Sequence, residues 1–200
     1  MKRFLAALLL PFLFLLPASA TDWSDTARLV ARSIVHIRGD KGSCTGFVID
    51  TKRDYVLTAA HCDEPKMTVD HLVTHVILKD TKHDLMVLMV PALQKPALRV
   101  AATDPAVGTE AATYGYGGGM SRPIFRAVHV SDNALNMPGA PVKKYIATDA
   151  GFLLGHSGSP IVNINGDVVA LVQMSSDVNI GIGLGAEALR ARVGPYMEQK

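Results

Sequence analysis

Three short stretches carry side chains able to do chemistry together. They are Thr58-Ala59-Ala60-His61-Cys62, then His83-Asp84 ahead of an apolar run, and Gly155-His156-Ser157-Gly158-Ser159-Pro160. In chain order they offer a base, an acid and a hydroxyl. A serine hydroxyl is a poor nucleophile at neutral pH. It needs an adjacent base, and the base needs an orienting group. Backbone donors must then meet the negative charge that forms on the substrate oxygen. Such a set suits acyl transfer. Gly155 fits the role physically, because without a Cβ a backbone amide can take positive φ and approach a substrate closely.

Standing alone, Ser157 would be an ordinary loop serine. The three stretches are one hypothesis and are weighed together. Asp80 rivals Asp84, but it precedes Thr-Lys rather than an apolar strand. His71 and His75 are four apart, a metal-binding spacing on a helix. Val69, Leu72, Val76 and Leu78 around them read instead as strand, so they are expected to be surface histidines. Gly115–Gly119 lacks the G-x-G-x-x-G spacing and a following helix, and a hairpin loop is expected there.

The elements that must position these residues are short and β-rich. Strands are expected at Ser33–Arg38, Gly46–Ile49, Tyr55–Leu57, Leu72–Leu78, Leu85–Val90, Glu110–Tyr114, Pro123–His129, Lys144–Thr148, Pro160–Asn163, Val168–Gln173 and Gly181–Leu184. Turn formers such as Gly39-Asp40 and Asn165-Gly166-Asp167 separate them. Many short strands at this spacing predict a sandwich or barrels. One helix is expected over Asp25–Arg32, capped by Ser24. Another is expected over Ala186–Glu198, interrupted at Gly194-Pro195. Prolines thicken between Pro91 and Pro105, which places a linker there. Residues 21–102 are read as one unit and 103–200 as a second. No internal repeat or low-complexity tract is evident.

The first twenty residues read as a secretory signal peptide. Lys2 and Arg3 open it, Phe4 to Leu16 is apolar apart from one proline, and Ala18-Ser19-Ala20 is a small-x-small cleavage site. The apolar stretch is short for a membrane anchor, and no later segment is long and apolar enough to span a bilayer. A secreted or periplasmic protein is expected, with no membrane attachment after cleavage. Of the 20 basic residues, Lys2 and Arg3 lie in the leader, which leaves 18 against 18 acidic residues. With no net charge and no basic stripe, nucleic acid is not an expected partner. Outside the cytosol the two cysteines, Cys44 and Cys62, usually pair. Free thiols and metal ligation are the alternatives, and zinc is disfavoured because no histidine pair has zinc-finger spacing.

These motifs resemble the chymotrypsin-fold (trypsin-like) serine peptidases. "TAAHC" at 58–62 is similar to that family's histidine motif, "HDLMVLMV" at 83–90 to its aspartate motif, and "GHSGSP" to its Gly-x-Ser-Gly-Gly-Pro. "SCTGFVID" at 43–50 resembles the strand whose cysteine bonds the one after the catalytic histidine. "AVGTEAATYGYG" at 106–117 resembles the opening strand of a second barrel, and "NIGIGLG" at 179–185 a late pocket-lining strand. The resemblance implies an all-β fold of two packed antiparallel six-stranded barrels with a short C-terminal helix. It implies His61 as base, Asp84 as orienter, Ser157 as nucleophile, and the N–H groups of Gly155 and Ser157 as oxyanion donors. It implies a Cys44–Cys62 disulfide and peptide-bond hydrolysis through an acyl-enzyme, with no metal or organic cofactor. Protein or peptide substrates and a monomeric state are expected.

The P1 pocket is then expected at Gly151 and Phe152, with Ser175, Gly181 and Gly183 as walls. No acid sits at its base, so a small or medium apolar P1 residue is expected rather than Lys or Arg. Several positions depart from the family pattern. Ser159 replaces a glycine, Gln173-Met174 replace a serine and an aromatic, and only 23 positions separate His61 from Asp84. His156 stands where zymogen-activated members carry an acid, so no activating cleavage beyond removal of the leader is expected. Two other readings stay open: a binding module of the same fold, and an esterase. The α/β-hydrolase elbow, Gly-x-Ser-x-Gly with the histidine last, does not match this chain order.

Overall fold

Short runs of β-branched and aliphatic residues build two antiparallel sheets. The computed structural model describes residues 21–142, 144–176 and 179–198. The leader reading therefore lies outside the described residues. The first sheet uses β1 (Ile34–Arg38), β2 (Ser43–Asp50), β3 (Tyr55–Thr58), β4 (Thr68–Val69), β5 (Leu72–Val73), β6 (His75–Asp80) and β7 (Leu85–Met89). Its order is β5-β4-β1-β2-β3-β7-β6. The second uses β8 (Glu110–Gly115), β9 (Ile124–Leu135), β10 (Tyr145–Thr148), β11 (Pro160–Val162), β12 (Val168–Ser175) and β13 (Gly181–Gly185). It closes on itself in the order β10-β13-β12-β11-β8-β9, with β9 pairing back to β10.

The second sheet is the expected six-stranded barrel. The first departs from expectation, being an open half-barrel of seven strands. The reason is local. The expected strand Leu72–Leu78 breaks at Thr74, whose hydroxyl donates to the Met89 carbonyl at 3.2 Å. That leaves β5 with two residues, and β4 has only two as well. Strands so short cannot carry the ladder round to β6, whose residues are exposed or half-buried.

One apolar core joins the halves. Phe47, Ile49, Leu57, Leu85 and Val87 of the first sheet pack with Ala112, Val162, Val168, Leu171 and Leu184 of the second. Burying a side chain of this size stabilises by about 1.5–3 kcal/mol. The same cluster takes up Val30 of the helix α1 (Ser24–Ala31) and Ala186, Leu189 and Val193 of the helix α2 (Ala186–Val193). Ser24 is not the cap of α1 that its type suggested. Trp23 holds that position, and Asp22 Oδ1 accepts the Ser24 N–H at 2.9 Å. After α2 the chain tightens into a 3-10 turn at Gly194–Tyr196, where Pro195 cannot continue an α-helix.

Candidate active site

His61 sits in a 3-10 turn, Ala60–Cys62, directly after β3. Asp84 sits one residue before β7, the strand paired with β3. Its φ is +49°, in the left-handed region that a short polar side chain tolerates better than most. That bend turns the carboxylate towards His61. Asp84 Oδ1 accepts the His61 backbone N–H at 2.9 Å, and Oδ2 accepts from Nδ1 at 2.8 Å. The two bonds fix the ring and its tautomer and leave Nε2 for other chemistry. The hydrogen bond to Asp84 raises the His61 pKa above its ordinary value, and partial burial opposes this.

Gln173 holds the Asp84 turn from the other half of the molecule. Its Nε2 donates to the carbonyls of His83 at 2.6 Å and Asp84 at 3.1 Å. Asp80, the rival acid, serves another histidine. Its carboxylate accepts from His83 Nδ1 at 2.7 Å and from the His83 N–H at 3.1 Å.

Ser157 lies in the turn that leads into β11. Gly155 and Gly158 flank it at φ +96° and +81°. Neither position has room for a side chain. A Cβ on Gly155 would meet the Tyr116 carbonyl at 2.2 Å, and one on Gly158 the Thr45 carbonyl at 2.2 Å. Thr45 is the anchor of this loop. Its N–H donates to the Ser157 carbonyl at 2.9 Å, and its hydroxyl donates to the Gly155 carbonyl at 2.9 Å. The neighbouring amides are all taken. His156 donates to Leu153, Gly158 to Val172 and Ser159 to His156, at 2.8–3.0 Å. Among the described residues, the N–H groups of Gly155 and Ser157 have no acceptor. Two adjacent free donors suit a developing oxyanion.

His61, Ser157 and Gly155 line one cleft of about 410 Å³, with Cys44, Cys62, Lys41 and Leu154. Leu154 is 93% exposed. The Ser157 hydroxyl makes no hydrogen bond to His61 in this structure. Catalytic bonds of this type often tighten only once substrate is bound. Cys44 and Cys62 form a disulfide with an S–S distance of 2.06 Å. It ties the His61 turn to β2, and Cys62 Sγ lies 3.9 Å from the Ser157 carbonyl oxygen. The Cys44, His61 and Cys62 ligand atoms lie within 4.8 Å of one another, but both sulfurs are spent in the disulfide.

Four of the expected pocket residues come together. The Phe152 N–H donates to Ser175 Oγ, whose hydroxyl donates to the Phe152 carbonyl at 2.9 Å. The Phe152 ring lies against Gly181, and the Gly151 N–H donates to Asn179 Oδ1 at 3.1 Å. Gly183 instead faces Leu171 and Ala170 on β12. His156 is 2% exposed, and neither ring nitrogen has a partner. Burial lowers its pKa, and Arg126 adds to the effect.

Sequence reasoning missed Thr45 and the hold of Gln173 on the Asp84 turn. The signal for Gln173 was present as a lone amide in the apolar run Val168-Val169-Ala170-Leu171-Val172. Nothing local marks Thr45, because its partner Gly155 lies 110 positions away.

Residues 44–171 match the family model of the trypsin-like peptidase domain. Among curated proteins, the pro-apoptotic serine protease NMA111 of Coccidioides immitis is 30% identical over 189 residues, covering 78% of this chain and 18% of that protein. A probable periplasmic serine endoprotease DegP-like of Chlamydia trachomatis is 28% identical over 160 residues, covering 74% of this chain and 32% of that protein. The chain thus spans 18% to 32% of the length of these relatives. Among solved structures, the active form of the Rv3671c protease from M. tuberculosis superposes with a TM-score of 0.76 at 25% identity, covering 92% of this chain and 95% of that one. The HtrA-type protease AlgW with tripeptide gives 0.73 at 18% identity, covering 85% and 62%, and speaks to the fold alone.

Proposed function

Since the chain belongs to the trypsin-like peptidase family, we propose that it is a serine endopeptidase working through an acyl-enzyme. Ser157 is the nucleophile, His61 the base and Asp84 the group that orients it. The observation that carries the reading is one cleft holding Ser157, an Asp84-oriented His61 and two unpartnered N–H groups.

The steps follow from the geometry. Ser157 Oγ bonds to the substrate carbonyl carbon while its proton passes to His61 Nε2. The carbonyl oxygen takes the negative charge and meets the N–H groups of Gly155 and Ser157. The C–N bond then breaks, and the imidazolium gives its proton to the leaving amine. Water, deprotonated by the same imidazole, attacks the acyl carbon and releases the acid and free Ser157. Asp84 holds the ring in place and favours the imidazolium that forms twice.

A secreted or periplasmic setting accords with the leader-like start of the sequence and with the periplasmic name of the DegP-like relative. The test is a fluorophosphonate probe on the purified protein. Labelling is expected at Ser157 and is expected to vanish in Ser157→Ala. A protein that folds but takes no label would be a binding module of the same fold. Labelling with ester but no peptide turnover would make it an esterase.

A further inference from the structure

The N–H groups of Gly155 and Ser157 must aim at one point to meet a single oxygen. Gly155 has no side chain to hold its own orientation, so its neighbours must do so. Thr45 is one of them, and its hydroxyl has a second bond. It accepts the Tyr116 N–H at 2.8 Å while donating to the Gly155 carbonyl. The Tyr116 carbonyl lies against Gly155, where a Cβ would sit 2.2 Å from its oxygen. Two residues on, the Gly118 N–H donates to the Leu154 carbonyl at 2.7 Å. The buried His156 ring lies against Gly117, since a Cβ there would meet His156 Cε1 at 2.2 Å. The glycine-rich segment 115–119 is therefore the platform on which the loop 153–157 rests.

This platform has one side chain to fix it. The β8–β9 ladder ends at Gly115, and of residues 115–119 only Tyr116 is not glycine. Glycine backbone is free to move unless something pins it. The Tyr116 ring supplies the pin by stacking on His36, with centroids 4.2 Å apart and planes 6° from parallel. His36 is buried and is itself held. Its N–H donates to Asp70 Oδ1 at 2.8 Å, and its carbonyl accepts the Asp70 N–H at 2.9 Å. Its Nδ1 accepts from Arg38 Nε at 3.2 Å, and Lys95 pairs with Asp70 Oδ2 at 2.9 Å. His36 also faces Thr45 directly across the β1–β2 ladder. Side chains of such a pair stand on the same face of the sheet. Thr45 thus takes the Tyr116 backbone, and His36 takes its ring.

We infer that Tyr116 is a positioning residue for the reaction: its ring, stacked on His36, fixes the backbone that aims the Gly155 N–H at the oxyanion. It acts through Gly155 and Thr45 rather than on the substrate. The inference rests on the proposed peptidase reading for the oxyanion. The platform and the stack rest on the packing alone. A misplacement of about 1 Å far from the reacting atoms can cost about 10²-fold in rate, so a modest slide of this platform is enough to matter.

The experiment has two arms. In the first, kcat and KM on one peptide anilide are measured for the unaltered protein, Tyr116→Ala and Tyr116→Phe. The affinity of each for a peptide boronic acid is measured beside them, because its tetrahedral adduct on Ser157 presents an oxygen to the two N–H groups. Tyr116→Ala is expected to lower kcat by about 10- to 100-fold with KM nearly unchanged, and to weaken the boronate by a similar factor. Tyr116→Phe keeps the stacking face without the hydroxyl and is expected to recover most of both losses. An unchanged kcat in Tyr116→Ala, a loss confined to KM, or an equal loss in Tyr116→Phe overturns the inference. In the second arm, the Gly155 amide signal is followed by NMR in the same three proteins without substrate. It is expected to shift in Tyr116→Ala and to return in Tyr116→Phe, and a signal that stays in place in Tyr116→Ala overturns the inference. If no form cleaves the anilide, binds the boronate or takes the fluorophosphonate, the peptidase reading has failed, and the NMR arm alone decides whether Tyr116 holds the loop. If Tyr116→Ala does not fold, Tyr116→Leu, which fills the space without a stacking face, replaces it in both arms.

Discussion

Among the described residues, three His–Asp pairs share one bidentate design, and two of them, His61–Asp84 and His129–Asp149, carry a half-exposed ring. Asp84 accepts the His61 backbone N–H at 2.9 Å and Nδ1 at 2.8 Å. Asp149 accepts the His129 backbone N–H at 2.8 Å and Nδ1 at 2.9 Å. Both rings are about half exposed, and both have Nε2 turned away from the carboxylate. The difference lies beyond Nε2. His61 shares a cleft with Ser157 and two free amides, whereas His129 Nε2 looks at another carboxylate, Glu110 Oε1, 3.9 Å away. A bidentate His–Asp pair is thus a general way to tie a turn to a strand. It becomes a base only where the fold brings a hydroxyl and oxyanion donors to its free nitrogen.

The sharpest way to break this comparison is to remove each member in turn. Ser157→Ala and His61→Ala are each expected to cut kcat by up to about 10⁶ without unfolding the protein. The double variant should be little worse than either single one, because the members act as a unit. His129→Ala should leave hydrolysis within about twofold, since surface changes away from the site are small. Losses that add in the double variant, or a comparable loss in His129→Ala, would mean that the two pairs have been told apart wrongly. Next in size is the orienting acid. Asp84→Asn should lose about 10⁴ in rate by presenting the wrong tautomer. The same change at Asp149 or Asp80 should not approach that loss, and steady-state rates on one anilide substrate decide it.

Much of this pattern was legible before any coordinates. The apolar runs at 85–90, 160–163 and 168–173 marked strands because continuous burial needs continuous aliphatic sequence. The three motifs marked the candidate site because acyl chemistry demands those residue types. What was not legible depended on distant partners. Two-residue strands such as β4 leave no periodicity to read. The break at Thr74, between β5 and β6 at the two edges of the first sheet, has no compositional signal. Gln173 was read only as a departure from the family pattern, yet its buried amide holds the Asp84 turn 89 positions away. Phe152 was read as lining a pocket, and its hydrogen bonds to Ser175 and its approach to Gly181 come only from the packing.

A smaller effect separates the two histidines by their anchors. The Cys44–Cys62 disulfide holds the turn that carries His61 and closes a loop with a sequence separation of 18. Nothing of the kind braces His129. Replacing both cysteines with alanine should lower stability by about 3 kcal/mol, by the chain-entropy argument. It should also loosen His61 relative to Ser157. Chemical denaturation gives the first quantity. A rate loss in Cys44→Ala/Cys62→Ala under fully folding conditions gives the second, and no rate loss there would reduce the disulfide to a purely global brace.

The smallest expected effect is a shift in pH. Asp84 raises the His61 pKa above the ordinary value near 6.5. The base must be neutral to accept the Ser157 proton, so the rate should climb with pH through a midpoint above about 6.5. The linkage runs the opposite way for stability. A raised pKa means that the folded state holds the proton more tightly than the unfolded chain. The His61 contribution is therefore complete below about 6.5 and is lost as pH rises through the folded value. His156 has the reverse sign. Burial lowers its pKa, so the folded state resists a proton that the unfolded chain accepts, and stability falls as pH drops below about 6.5. Activity and melting temperature should then respond to different residues. Asp84→Asn should move the rate midpoint down towards 6.5. His156→Asn should flatten the acid-side fall in Tm while leaving that midpoint in place, and His129→Ala should leave the rate midpoint where it is. A midpoint that follows His129 instead would hand the role of base to the second pair.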